Sequence, residues 1–242
     1  STDQNVYLSN IKWSLFDLKG GFRNRYFMMR SLMSQDVAVG GYDFSAVNND
    51  FLSLFLDGRA DTFDDGYFPK KGFSAGASYE WMFYAYPNKV RNFHIVSADA
   101  KFVVPGGDVF AFIPSIGFRF ILGNNNIPVS YMNCMGGSLN GRYFEHQFAF
   151  IGKNNVASMR RILTLARTDF RFEVKKNHYL TGIVNYARDA RDFEEYAGSE
   201  LGWFGAGVEY AYDAFFGPVR ADIHWSNLNR KVGFYVGIGY NF

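Results

Sequence analysis

The last eleven residues, Val232-Gly-Phe-Tyr-Val-Gly-Ile-Gly-Tyr-Asn-Phe242, alternate with a period of two. Val232, Phe234, Val236, Ile238, Tyr240 and Phe242 fall on one face of an extended strand; Gly233, Tyr235, Gly237, Gly239 and Asn241 fall on the other. Successive side chains of a strand point to opposite faces, so an apolar face is backed by a small or polar one. The chain stops on an aromatic residue. A soluble sheet reads this way, and so does a strand that closes a transmembrane barrel, apolar toward lipid and polar or small toward the lumen.

The same alternation recurs upstream. Residues Val6 to Asp17 set Tyr7, Ile11, Trp13 and Leu15 on one face. Leu18-Lys-Gly-Gly21 reads as a turn, Arg23 to Ser34 as a second strand, and Asp36 to Asn49 as a polar loop. Leu52, Leu54 and Leu56 oppose Ser53, Asp57 and Arg59; Phe73, Ala75, Ala77, Tyr79, Trp81 and Phe83 oppose Ser74, Gly76, Ser78 and Glu80. Val96 to Val104 sets Phe102 against Asp99 and Lys101, and Phe110 to Leu122 sets four Phe against Ser115, Gly117 and Arg119. From Gly123 to Arg161 no period is visible, and a long loop of this kind is usually functional. Then Ala166, Phe170, Phe172 and Val174 oppose Arg167, Asp169, Arg171 and Glu173, and His178 to Ala190 follows. Phe204, Ala206, Val208, Tyr210 and Tyr212 oppose Gly205, Gly207, Glu209 and Asp213; Val219, Ala221, Ile223 and Trp225 oppose Arg220, Asp222, His224 and Ser226.

These segments make about eleven strands of about 10 to 13 residues, against about five or six in ordinary globular sheets. Tilted strands of about 9 to 11 residues are what a bilayer requires. A strand face carrying Arg167, Asp169, Arg171 and Glu173 suits a wet lumen and not a dry core. The fold class is therefore all-β, an antiparallel transmembrane β-barrel, with 11 or 12 strands in residues 1–242 as one domain. No apolar run is long enough for a transmembrane helix. A net charge of +2 argues against a nucleic-acid binder, and one cysteine, Cys134, excludes an internal disulfide framework. Every second connection is generally the shorter, which places Phe242 at the periplasmic end and segment 123–161 outside or folded into the lumen.

The chain resembles the surface-antigen superfamily of outer-membrane barrels, which includes BamA-like assembly factors and two-partner secretion transporters. Asp61-Thr-Phe-Asp-Asp-Gly-Tyr-Phe-Pro-Lys-Lys-Gly72 looks like the family's D-x-x-x-x-P-x-x-G turn. Gly136-Gly137 and Gly141-Arg142-Tyr143-Phe144 look like its loop element, although Arg142 follows the glycine here instead of preceding it. Residues 205–222, with Gly-Ala-Gly and Gly217-Pro-Val-Arg-Ala-Asp222, are similar to its G-x-G hairpin and G-P-x-R-x-D strand. The stretch from Gly141 to Gly152 is most similar to the C-terminal barrel of Bacteroidetes patatin-like phospholipases. The resemblance implies the outer membrane of a Gram-negative bacterium. The implied partners are the bilayer with its lipopolysaccharide, the barrel-assembly machinery, and other outer-membrane proteins or an N-terminal part of the same protein. Family barrels carry about 16 strands, so the resemblance implies that residues 1–242 are the C-terminal portion of a longer protein. It also implies that Arg142 folds inward and pairs with Asp169 and Glu209, pinning the loop.

The candidates for chemistry are weak. Gly72-Phe-Ser74-Ala-Gly76 matches a nucleophile elbow, but Ser74 sits inside an alternating strand with no helix after it. His94, His146, His178 and His224 show no metal-ligand spacing, and no cofactor, metal site or catalytic residue is expected. Four roles stay open: anchoring or translocating a passenger, anchoring a lipid hydrolase domain, assembly or secretion transport, and a small porin. An odd strand count also requires either a further strand, at Val37–Phe44 or Ile127–Met135, or polypeptide before Ser1.

Overall fold

A computed structural model describes residues 2–13, 15–27, 49–86, 92–123, 127–137, 146–154, 158–198 and 202–239. The strands are β1 (Thr2–Trp13), β2 (Phe16–Phe27), β3 (Asn49–Asp61), β4 (Gly72–Tyr86), β5 (Phe93–Pro105) and β6 (Phe110–Gly123). Three short strands follow: β7 (Asn133–Met135), β8 (Gln147–Phe148) and β9 (Ser158–Arg160). Then come β10 (Ile162–Lys175), β11 (His178–Ala190), the helix α1 (Phe193–Ala197), β12 (Trp203–Ala214), β13 (Gly217–Ser226) and β14 (Val232–Ile238). Among the described residues the long strands form one sheet in sequence order, β1 to β6 and then β10 to β14, eleven in all; β8, β7 and β9 form a separate small sheet.

The alternation read from sequence holds along these strands. Phe170, Phe172, Val208, Tyr210, Ile223, Phe234 and Val236 are exposed on one face, while Arg171, Asp222 and His224 are buried on the other. The five-residue α1 buries nothing; Asp192 caps it through a bond from the Glu195 amide. Ser74 is buried inside β4, so the elbow-like Gly72-Phe-Ser-Ala-Gly76 is strand and not a strand-to-helix turn.

Two expectations are corrected. Leu18-Lys-Gly-Gly21 is not a turn, and the second strand starts well before Arg23. The chain reverses between Trp13 and Phe16, which pair directly. Gly20 and Gly21 lie within β2 opposite Ser9 and Tyr7, where the ladder shifts register. The glycines mark an irregularity in a strand, as isolated strand glycines often do, and the true reversal carries no Gly or Pro. Segment 123–161 also has structure that its lack of period concealed, including the small sheet and one turn of 3₁₀ helix at Val129–Tyr131. Ile127–Met135 adds no strand to the large sheet; Val37–Phe44 lies outside the described residues.

The chain forms two compact units. The first comprises Ser1–Arg59, Gly76–Ser97 and Phe120–Met132; the second comprises Ala60–Ala75, Ala98–Arg119 and Asn133–Phe242. In the first unit Tyr131 is fully buried, with the rings of Phe27, Phe51 and Phe93 edge-on to it at 5.5, 5.1 and 5.2 Å. Edge-to-face packing is the favoured aromatic geometry and adds to the area buried. In the second unit Phe150 packs with Met135, Leu163, Leu165 and Ala187. Both clusters join a segment of the long loop to strand side chains.

Candidate functional site

The candidate site is the polar strand face of the second unit together with the loop that lies on it. Asn133, on β7, joins the loop to β6. Its Oδ1 accepts from Arg119 Nη1 at 2.5 Å, and its Nδ2 donates to the carbonyls of Arg119 and Arg161 at 2.8 and 2.9 Å. One buried amide thus satisfies groups on β6, the loop and the approach to β10, and buried polar groups are costly when left unmatched. Gly136 and Gly137 are buried in the same layer. The Gly136 carbonyl accepts from Gln147 Nε2 at 2.6 Å, and the Gly137 amide donates to the Lys153 carbonyl at 2.6 Å. Cys134 is buried beside them, and burial pushes its thiol up to about 11 against the opposing pull of Arg119.

Glycines on the strand face form seats for this loop. The Ile151 carbonyl oxygen rests on Gly205, where any Cβ would overlap it, and Ile151 Cδ1 would lie 2.8 Å from a Cβ at Gly207. On β6, a Cβ at Gly117 would stand 3.3 Å from the Phe148 ring. Gly152 has φ +100 and lies close to Trp225 and Ser226, so a side chain there is excluded by both backbone and space. Ser226 Oγ donates to the Gly152 carbonyl at 2.7 Å, and Asn154 Nδ2 to the Phe234 carbonyl at 3.3 Å. The loop is therefore held by β6 through Asn133 and by β12, β13 and β14 through residues 151–154.

Charges of both signs cover the rest of this face. Antiparallel register places Arg171, Thr181, Glu209 and Asp222 in one row across β10 to β13, and Asp169, Ile183, Gly207 and His224 in the next. Arg167 engages Asp169 through two bonds, Nε–Oδ1 at 2.7 Å and Nη2–Oδ2 at 3.0 Å, the strong bidentate form. Glu209 is within electrostatic reach of Arg220 and Arg167. His224 Nδ1 lies 2.5 Å from Asp222 Oδ1, with both side chains buried. The first unit has its own network: Arg23 meets Glu80 at 3.1 Å and Asp57 at 3.4 Å, and Ser53 Oγ donates to Glu80 Oε1 at 2.5 Å.

Of the residues expected to pin the loop, the structure places Asp169 and Glu209 on the loop-bearing face. Asp169 is matched there by Arg167, its neighbour two residues away. Arg142, Gly141, Tyr143 and Phe144 lie outside the described residues, as do Tyr240 and Phe242. Asn133, Arg119, Ile151, Gly152 and Ser226 are contacts that the sequence reading did not single out. Gly205 and Gly207 belonged to the quoted G-x-G element, but nothing in their spacing says that a carbonyl would sit on them. Among the described residues no group of three or more His, Cys, Asp or Glu could hold a metal ion. The arrangement holds a segment in place and orders charge along one strand face.

A family model described as the OMP85 superfamily matches residues 1–242. Among solved structures, the crystal structure of BamA from Haemophilus ducreyi lacking POTRA domains 1-3 is similar, with a TM-score of 0.61 at 13% identity. The match covers 92% of this chain and 49% of that chain, so the chain spans about half the length of its structural neighbour. No curated protein matches the sequence. At this identity the structural likeness carries the fold alone, that of an antiparallel β-barrel.

Proposed function

The chain belongs to the OMP85 superfamily of outer-membrane β-barrel proteins, and from that premise we propose that it anchors or translocates a passenger or partner, with its long loop packed in the lumen. The observation that supports this reading is the seating of Ile151 and Gly152 on β12 and β13, on the face that carries the charges. The opposite face offers Phe170, Phe172, Val208, Ile223 and Phe234 to lipid, as spanning strands do. On this reading residues 1–242 are the barrel part of a longer protein in a Gram-negative outer membrane. Its partners are lipopolysaccharide, the barrel-assembly machinery, and other outer-membrane proteins or an N-terminal domain. Arg142 adds a second hold on the loop through Asp169 or Glu209.

Passenger anchoring is tested on intact cells. The native protein should fractionate with the outer membrane and be heavier than residues 1–242 alone. Protease added outside should release a passenger fragment and leave a protected barrel core. A native mass equal to this chain, with nothing released, rejects the anchoring role in favour of a small porin.

A second reading, favoured by the Gly141–Gly152 resemblance, makes the passenger a patatin-like lipid acyl hydrolase of a Bacteroidetes-type bacterium. It requires the purified native protein to release fatty acid from phospholipid vesicles. A native protein with no such activity, but with POTRA-like domains, supports assembly or secretion transport instead.

A further inference from the structure

The connection between β3 and β4, residues 62–71, crosses the polar face of the second unit. Asp61, Asp64 and Asp65 shape it by accepting bonds from its own amides: Asp65 Oδ1 from Tyr67 and Phe68 at 2.7 Å each, and Asp64 Oδ1 from Lys70 at 2.8 Å. Near its start, Phe63 packs against Val103, Ala111 and Ile113 of β5 and β6. Five residues on, Phe68 is 5% exposed and stacks on Tyr179 of β11, with centroids 4.3 Å apart and planes 10° apart. Phe68 also packs on Ala211 of β12. Arg171 and Arg220 lie over the Phe68 ring at 6.0 and 5.5 Å. Arg171 donates to the Pro69 carbonyl, and Lys70 Nζ reaches Glu173 Oε2 at 2.7 Å.

The strap thus plants one aromatic on β5–β6 and another on β11–β12, at the end of the strands where the other connections are short. A turn that merely joined two strands would not bury a phenylalanine between two guanidinium groups of distant strands.

We propose that residues 62–71 are a latch that closes the polar face of the barrel at its turn end, with Phe68 as the bolt and the Lys70–Glu173 pair as its outer clasp. Passage along that face requires the latch to lift. This rests on the barrel reading but not on what the barrel carries.

The test uses the full-length protein in lipid vesicles with Cys134→Ala, and Ala211→Cys as a reporter beneath Phe68. A membrane-impermeant charged maleimide should label the reporter slowly. Phe68→Ala should speed labelling about tenfold, the scale of losing one stacked aromatic contact. Lys70→Glu, which opposes Glu173 without touching the ring, should act in the same direction and covers the case in which Phe68→Ala does not fold. Ion conductance in planar bilayers should rise with both variants. Heat-modifiable mobility identifies folded barrels, and its loss in every variant would count against the barrel reading rather than the latch. Fast labelling with the latch intact, unchanged labelling in both folded variants, or unchanged conductance overturns the latch.

Discussion

The carbonyl oxygen of Ile151 rests on the Cα of Gly205, with no room between them for a methyl group. This contact couples a loop peptide to the end of the β11–β12–β13 ladder nearest the long loop, where Gly205 pairs with Asn185 and Ser226. Gly205→Ala must displace the loop or the strand, and overpacking of this kind costs about 1–3 kcal/mol. The variant should unfold earlier in denaturant and be cut faster by protease within 146–154. A variant as stable and as protected as the parent would show that the loop is not seated there.

Asn133 makes three bonds, two with Arg119 of β6 and one with the carbonyl of Arg161 just before β10. Asn133→Leu keeps the number of side-chain heavy atoms and removes these three bonds, taking the amide partner from two carbonyls and a guanidinium nitrogen. Each such group costs about 1–3 kcal/mol. Asn133→Ser, which can keep one donor, should lose less. Equal stability of the two variants in chemical denaturation would place the energy in packing instead.

Glu80 joins Arg23 and Ser53 inside the first unit. Glu80→Ala removes the nearer carboxylate from Arg23 and keeps Asp57 at 3.4 Å, and breaking a buried pair costs about 3–5 kcal/mol. The remaining carboxylate should hold the loss near the low end, about 3 kcal/mol. Asp57→Ala in the same background should then cost more than it does alone. Strict additivity in the double-mutant cycle would argue against a shared network.

The Cys134 thiol is raised from 9.0 to about 11, chiefly because burial disfavours the thiolate. Between these values the unfolded chain loses the proton first, so the folded state binds more protons and stability falls as pH rises through that window. Cys134→Ala should flatten the alkaline part of the stability–pH curve and leave it unchanged below pH 8. At neutral pH the thiol should react with maleimide far more slowly in the folded protein than in denaturant.

Exposure follows the two strand faces. Cysteines at Phe170, Val208 or Ile223 should resist a charged, water-borne thiol reagent when the protein is in lipid, while those at Asp169 or Glu209 should be reached through the lumen. The reverse pattern would invert the sidedness of the sheet.

Strand faces and the chain's class were legible in the sequence, because alternation with period two needs no knowledge of distant residues. β10 and β11 appear where their patterns placed them, and Arg167 to Glu173 alternate with Phe170, Phe172 and Val174 as read. The reversal at Trp13–Phe16 was hidden because a tight hairpin can form without Gly or Pro, whereas Gly20 and Gly21 carried a turn signature at a ladder shift. Tertiary structure alone decided what lies on the polar face. In the first unit Phe51 and Phe93 are buried against Tyr131 of the long loop, and in the second Phe68 is buried against Tyr179 and Ala211; an aromatic at such a position looks the same in sequence whether water or another ring lies above it. Gly205 likewise reads as a small lumen residue; its role as a seat depends on a carbonyl 54 positions earlier in the chain (205 − 151), a contact that no local pattern encodes.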